Sequence, residues 1–400
     1  MTVATPQTDR FAAPAAVDRL SKAGLAVGVV ALVVCAIGFV VDWEQFLHSW
    51  LIGCTYWVGV SVGCLALLMI QALTGGSWGL VGRRVLEAGA GALPLVALLF
   101  LPILFGLEVL YPWSAADAGD DALLVHKAVW LNEPFFIGRF VAYFAIWFTL
   151  WFLLRRFSVR QETAGADAGR LNRRMAVVAA PGLVVWAFVT TFAYMDWLMS
   201  LEPYWFSTIY GVYFFGGTGL SAMAFLIAVS AFLVRRSPMD TLLAPRHFHD
   251  WGKLLLAFVL LWTYFGFSQF LIIWAGNLPE EIEWYLHRMS HGWQIVALAL
   301  VLFHFAVPFA LLLSRDLKKH PRRLAGLALF LLFMRWVDHL WQVAPTLHPE
   351  GLVIHWLDVA APLAVGGLWL AAFVWLLRRH PVVPVNDPYL EEAAGHGAHH

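Results

Sequence analysis

Apolar residues run along this chain in ten separate stretches of about 20 residues, the length that crosses a bilayer as a helix. They lie near 23–41, 51–73, 85–105, 136–154, 175–199, 210–234, 251–274, 293–313, 324–342 and 361–377. Polar positions within them are few and patterned. Asp196-Trp197-Leu198 is followed by Pro203, and Asp338-His339-Leu340 by Pro345, so D-x-L-x-x-x-x-P occurs twice at the far ends of the fifth and ninth stretches. An ionisable residue inside a membrane span is costly and marks an ion, proton or substrate route by default. Its recurrence in one local frame predicts a parallel internal repeat. The inner ends match less well, since Asp196 lies 22 residues past Arg174 and Asp338 lies 15 past Arg323. The register is therefore read from the outer ends. The expected fold is an all-α polytopic membrane protein of ten transmembrane helices. Two four-helix bundles are expected over 51–199 and 200–342, flanked by 1–50 with the first, peripheral helix and by 343–400 with the tenth and a tail.

Composition agrees: 61% of the 400 residues are hydrophobic and 13% charged, against roughly a quarter charged in soluble domains. Charge placement adds an orientation. Of the 26 Lys and Arg, all but Lys127, Arg139, Arg288 and Arg335 fall on one side of the ten spans or at the entrance to it. The positive-inside rule makes that side, and both termini, cytoplasmic. The opposite segments, 106–135, 275–292 and 343–360, are longer and acidic or aromatic. Net charge is +0 and no P-loop or dinucleotide fingerprint occurs, which argues against nucleic acid or nucleotide as a partner. The N-terminal stretch, with Asp9 and Asp18, does not resemble a cleaved signal peptide. Cys35, Cys54 and Cys64 form no C-x-x-C or C-x-x-C-H, so neither an iron-sulfur cluster nor a c-type haem is expected on this chain.

The ninth stretch carries the densest chemistry. Arg335, Asp338, His339 and Gln342 stand at i, i+3, i+4 and i+7 and share one helix face. A structural Arg335–Asp338 pair is one reading; a proton-accepting or quinol-contacting site, with His339 exchanging protons near neutrality, is the other. In the fifth stretch Asp196 has Ser200 one turn on and Glu202 just outside. Arg139, with Tyr143 one turn further in, lies at the depth of a pairing partner; the alternative reading is a helix-end carboxylate that reaches water. Glu87, Asp250 and Lys253 begin the third and seventh stretches at the inner side, where snorkelling to headgroups accounts for them. Tyr264, Ser268 and His304 lie between the inner and outer groups and would complete a hydrogen-bonded chain if they faced the interior; alone, His304 reads as a satisfied core histidine. His287 and His291 at i, i+4 are a weak zinc signal, and His396, His399 and His400 read as a disordered end that binds metal adventitiously. Most of the 21 tryptophans read as interfacial anchors and packing.

The run Asp196-Trp197-Leu198-Met199-Ser200-Leu201-Glu202-Pro203-Tyr204-Trp205-Phe206-Ser207-Thr208-Ile209-Tyr210-Gly211, with Gly276-Asn277-Leu278-Pro279-Glu280-Glu281-Ile282 and Trp284-Tyr285, resembles the ActF-type subunits of bacterial alternative complex III, within the polysulfide-reductase (NrfD-like) membrane-subunit family. The resemblance spans nearly the whole chain. It implies a cofactor-free subunit of a quinol:electron-acceptor oxidoreductase in the bacterial cytoplasmic membrane. The expected partners are a paralogous NrfD-like membrane subunit, membrane lipids, and periplasmic iron-sulfur and multihaem cytochrome c subunits that hold the clusters and haem c. In the family the paralogue usually binds quinol, through a His and acids near the outer ends of its first bundle. Here Asp196 is present, but His48 and His126 fall in expected loops. Proton conduction and support of assembly are therefore expected first. Quinol binding by this chain, a pure scaffold and a secondary transporter are the alternatives; Pro94, Pro102 and Pro181-Gly182 are the possible helix breaks for the last.

Overall fold

The computed structural model describes residues 11–390, and no β-strand occurs among them. Arg10, Asp9, His396, His399 and His400 lie outside the described residues. Ten helices among the described residues are long and apolar enough to cross a membrane. The chain is a multi-pass membrane protein. They are α1 (Ala16–Val41), α2 (Trp43–Thr74), α3 (Arg83–Phe105), α4 (Glu133–Arg160), α5 (Ala168–Trp197), α6 (Tyr210–Leu233), α7 (Pro245–Gly276), α8 (Trp293–Leu313), α9 (Pro321–Leu347) and α10 (Trp356–Leu377). Eight contain their expected stretch whole, α5 and α6 stop two residues and one residue short of theirs, and several run well beyond it at the ends. Capping explains where some of them start. Asp42 accepts from the Gln45 amide to open α2, Asn132 does the same for Phe135 with Pro134 behind it in α4, and Pro245 and Pro321 sit at first helical positions.

Helix α2 is the most enclosed, with 94% of its spanning window buried, and α6 follows at 78%. These two pack on each other at the centre; α5 and α9 each cross both of them. Around this core, α3 and α5 lie on α2 and α4 on α5, while α7 and α9 lie on α6 and α8 on α7 and α9. Helices α1 and α10 form a close pair on the flank of α2. At their crossing Gly28 faces Gly367, and a Cβ on Gly28 would come within 2.9 Å of the Leu368 backbone nitrogen. Small residues permit that approach where no hydrophobic driving force separates helix from lipid.

Two helices are irregular. α3 is split into Arg83–Ala90, Leu93–Leu99 and Leu101–Phe105, with Pro94 and Pro102 near the starts of the second and third pieces. α8 turns π-helical over Leu300–Ala306. By contrast, Pro181 lies inside a continuous α5. Backbone carbonyls left by such features must find donors inside the protein, and tryptophan supplies several. Trp50 Nε1 donates to Leu99 O (2.6 Å) at a break in α3. In α10, Pro362 has no N–H for Asp358 O, and Trp336 Nε1 takes that place at 3.0 Å. Trp57, Trp151, Trp186 and Trp251 likewise donate to carbonyls of other helices. Interior stapling is thus a role of tryptophan that the expectation of belts and packing did not include.

Candidate functional site

Asp196 ends α5 almost fully buried, with all its acceptor capacity used. Arg139 of α4 grips it bidentately, Nε to Oδ2 at 2.7 Å and Nη2 to Oδ1 at 3.0 Å. Tyr143 Oη donates to Oδ2 (2.6 Å) and Trp130 Nε1 to Oδ1 (2.9 Å). Arg139 is itself held by Trp130 O and lies over the Trp130 and Phe135 rings. The partner inferred from depth is present, and Asp196 does not reach water. A carboxylate with a guanidinium fork and two further donors is well balanced as an anion.

The second carboxylate, Asp338 of α9, meets the same three side-chain types from different places. Arg335, one turn earlier on α9, pairs with Oδ2; Tyr213 of α6 donates to Oδ1; Trp262 Nε1 of α7 donates to Oδ2 at 3.3 Å. The Arg, the Asp and His339 are at most 1% exposed. Gly217 of α6 makes room for the guanidinium, since a Cβ there would collide with it. One turn outward, Gln342 accepts from Tyr210 Oη (3.1 Å) and its carbonyl from Arg288 Nη2 (2.7 Å). The motif repeats in sequence while its surroundings do not superpose: α5 stops one residue after Asp196, whereas α9 continues nine residues past Asp338 with Pro345 inside it.

Two histidines complete the centre. His339 Nδ1 lies 2.8 Å from Arg335 O, so that nitrogen carries the proton, and Nε2 has no partner among the described residues. His304, on the π-helical segment of α8, lies 4.0 Å from the Trp262 ring at a tilt of 50°, is fully buried, and has no hydrogen-bond partner at either nitrogen among the described residues. It is not the satisfied core histidine that one reading expected. Single-turn π segments occur often at functional sites.

Other expected members fall elsewhere. Tyr264 is 63% exposed on the outer flank of α7 and cannot continue an interior chain, because Val259, Trp262 and Gln269 take the inward face of that helix. Asp250 and Lys253 form a half-exposed pair at 3.0 Å, as snorkelling residues do. Glu87 does not snorkel. It is fully buried on α3, paired with Arg84 at 2.8 Å, and Arg84 also binds Glu162. Beside it Arg83 binds Asp387 (2.9 Å), so residues 380–390 fold back over the inner ends of α2, α3 and α5. His48 lies inside α2 and is buried, not in a loop, while His126 is exposed on the short helix Ala122–Lys127. His287 joins Glu202 and Glu283, and His291 sits apart on a left-handed turn. Among the described residues no group of three or more His, Cys, Asp or Glu side chains is arranged so that it could hold a metal ion.

Outside the spans, Glu202 binds Arg288 (2.6 Å) and His287 (3.4 Å), tying the short helix Pro279–Arg288 to the α5–α6 connection. Burial opposes the charge on Glu202, but Arg288 and His287 outweigh it and hold the carboxyl below the usual range. The hydrogen bond to Glu202 raises His287 above its ordinary value. Sequence reasoning did not single out His287 for this role; its four-residue spacing from Glu283 on an acidic helix was the signal available. The chain matches no protein-family model and no curated protein.

Proposed function

We propose that this chain is a cofactor-free membrane subunit of a quinol:electron-acceptor oxidoreductase of the alternative complex III type, and that its part is proton transfer at Asp338 together with support of assembly. The supporting observation is the contrast between the two carboxylates. Asp196 is locked by a bidentate arginine and two further donors, which serves structure. Asp338 shares a buried centre with two histidines that keep three ring nitrogens without partners. A low-dielectric site with unmade hydrogen bonds is costly unless it is used. Arg335, Tyr213 and Trp262 hold the Asp338 carboxyl, and His339 and His304 are the neighbours able to take or give a proton.

In this reading the basic loops and both termini face the cytoplasm of a bacterial inner membrane. A paralogous NrfD-like subunit sits alongside in the lipid, and iron-sulfur and multihaem cytochrome c subunits carry the redox groups on the periplasmic side. Quinol binding by this chain is a weaker reading, because no group of Asp196 is left to meet a ligand.

The test is Asp338→Asn in the assembled complex, with proton release per quinol followed in reconstituted vesicles. The expected outcome is an assembled complex with altered release. Assembly with unchanged stoichiometry removes Asp338 from the route, and lost assembly assigns it to the scaffold. Labelling of a cysteine placed near Arg160 from outside intact cells would overturn the orientation.

A further inference from the structure

A third buried carboxylate lies apart from both sites. Asp358, in the first turn of α10, is 1% exposed and packs against the outer end of α2. Ser49 Oγ donates to its Oδ1 at 2.6 Å, Gln45 Nε2 reaches the same oxygen at 3.3 Å, and the His355 backbone N–H donates to Oδ2 at 2.8 Å. All three donors are neutral. Among the described residues no arginine or lysine pairs with it, unlike Asp196 and Asp338. The ionisable groups near it are His348 on the connection after α9, His355 at the cap of its own helix, and His48 of α2 with Asp42 at the cap of that helix; the α9 neighbour, Trp336, brings only an indole N–H to the Asp358 carbonyl.

Gln45 links this carboxyl to one of those histidines. Its Oε1 lies 2.7 Å from His348 Nε2, while its Nε2 faces Ser49 and Asp358. His348 is half-buried, on the outer connection. With the amide in this orientation, His348 must present Nε2–H and Asp358 must accept.

We propose that Asp358 is a proton-exchange site at the outer end of α10, whose state is read by rotation of the Gln45 amide and the tautomer of His348. When Asp358 takes up a proton, its O–H donates to Gln45 Oε1 in the rotated amide. Gln45 Nε2–H then donates to His348 Nε2, and His348 carries its proton on Nδ1 instead. The balance is one proton gained from outer water by the carboxyl, with His348 neutral in both states. A buried carboxylate lacking a cation is the kind of group that exchanges its charge for a proton. A short amide switch between it and a half-buried imidazole couples that exchange to the tautomer of a group that reaches solvent.

The experiment is infrared difference spectroscopy of the purified full chain in lipid across a pH titration, reading the carbonyl stretch of a protonated carboxylic acid. The expected result is a band lost in Asp358→Asn, retained in Asp338→Asn, and shifted in titration midpoint by Gln45→Met and by His348→Gln. Retention in Asp338→Asn separates this site from the route proposed above. If Asp358→Asn fails to fold, Ser49→Ala keeps the carboxyl while removing its shortest hydrogen bond, and must move the midpoint. A band that no Asp358, Gln45 or Ser49 change affects, or the absence of any such band, overturns the proposal.

Discussion

Replacing Arg139 by Met tests whether Asp196 is held as a structural anion. The change keeps much of the apolar stem of the side chain but deletes two hydrogen bonds to the carboxylate, one to Trp130 O, and the guanidinium lying 4.3 Å above the Trp130 ring. Tyr143 and Trp130 remain, so two of the four donors survive around an uncompensated charge. Removing one partner of a buried pair costs about 3–5 kcal/mol, against about 0–1 kcal/mol for an exposed one. Asp196→Asn should cost a similar amount, because it leaves the guanidinium unbalanced. The double change Arg139→Met with Asp196→Asn should then lose no more than either single change, since neither charge is left alone; the two effects are coupled, not additive. Unfolding of the detergent-solubilised chain in rising sodium dodecyl sulfate, followed by tryptophan fluorescence, measures all three variants. A loss below about 1 kcal/mol for Arg139→Met, or additive single effects, refutes the reasoning and makes the pair an ornament of a stable fold.

At the second centre, Gly217→Ala puts a methyl group against the Arg335 guanidinium and should lower stability by about 1–3 kcal/mol through overpacking; an unchanged thermal midpoint would show that Arg335 can move aside. On the outer side, His287 is raised above its ordinary value, so the stability it adds is present in full below the unfolded value and fades as pH rises through the folded one. Protection of the Pro279–Arg288 amides, corrected for intrinsic base-catalysed exchange, should accordingly fall as pH rises through the folded His287 value, and His287→Gln should abolish that added pH dependence. The Glu202 contribution, from a lowered carboxyl, is lost only in acid, as pH falls through its folded value. In the orientation proposed above, Asp387→Asn, which breaks the pair with Arg83, should expose residues 380–390 to protease in inside-out vesicles; unchanged cleavage would show that the segment is held by its apolar residues alone.

The spans were legible because length and hydropathy suffice to define a membrane helix. The centre on α9 was legible because helical spacing fixes one face: Arg335, Asp338, His339 and Gln342 are all buried together. Side-chain direction on single residues was not. Tyr264 and Trp262 are two residues apart on α7, and only the packing of α7 on α6 decides that the indole turns toward Asp338 while the phenol turns away. Glu87 looked like a snorkelling acid because the sequence does not show that residues 380–390 return to close the inner ends of α2, α3 and α5.

The repeat shows the limit most clearly. D-x-L-x-x-x-x-P marks two carboxylates that each gather an arginine, a tyrosine and a tryptophan, yet the arginine comes from the helix before in one case and from the same helix in the other. Burying a carboxylate demands a cation and hydrogen-bond donors; it does not specify which helices deliver them. Internal symmetry of the motif therefore predicts the chemistry around each acid but not its connectivity. That difference in connectivity is what leaves Asp196 closed within a four-donor cage and Asp338 beside two histidines with nitrogens to spare.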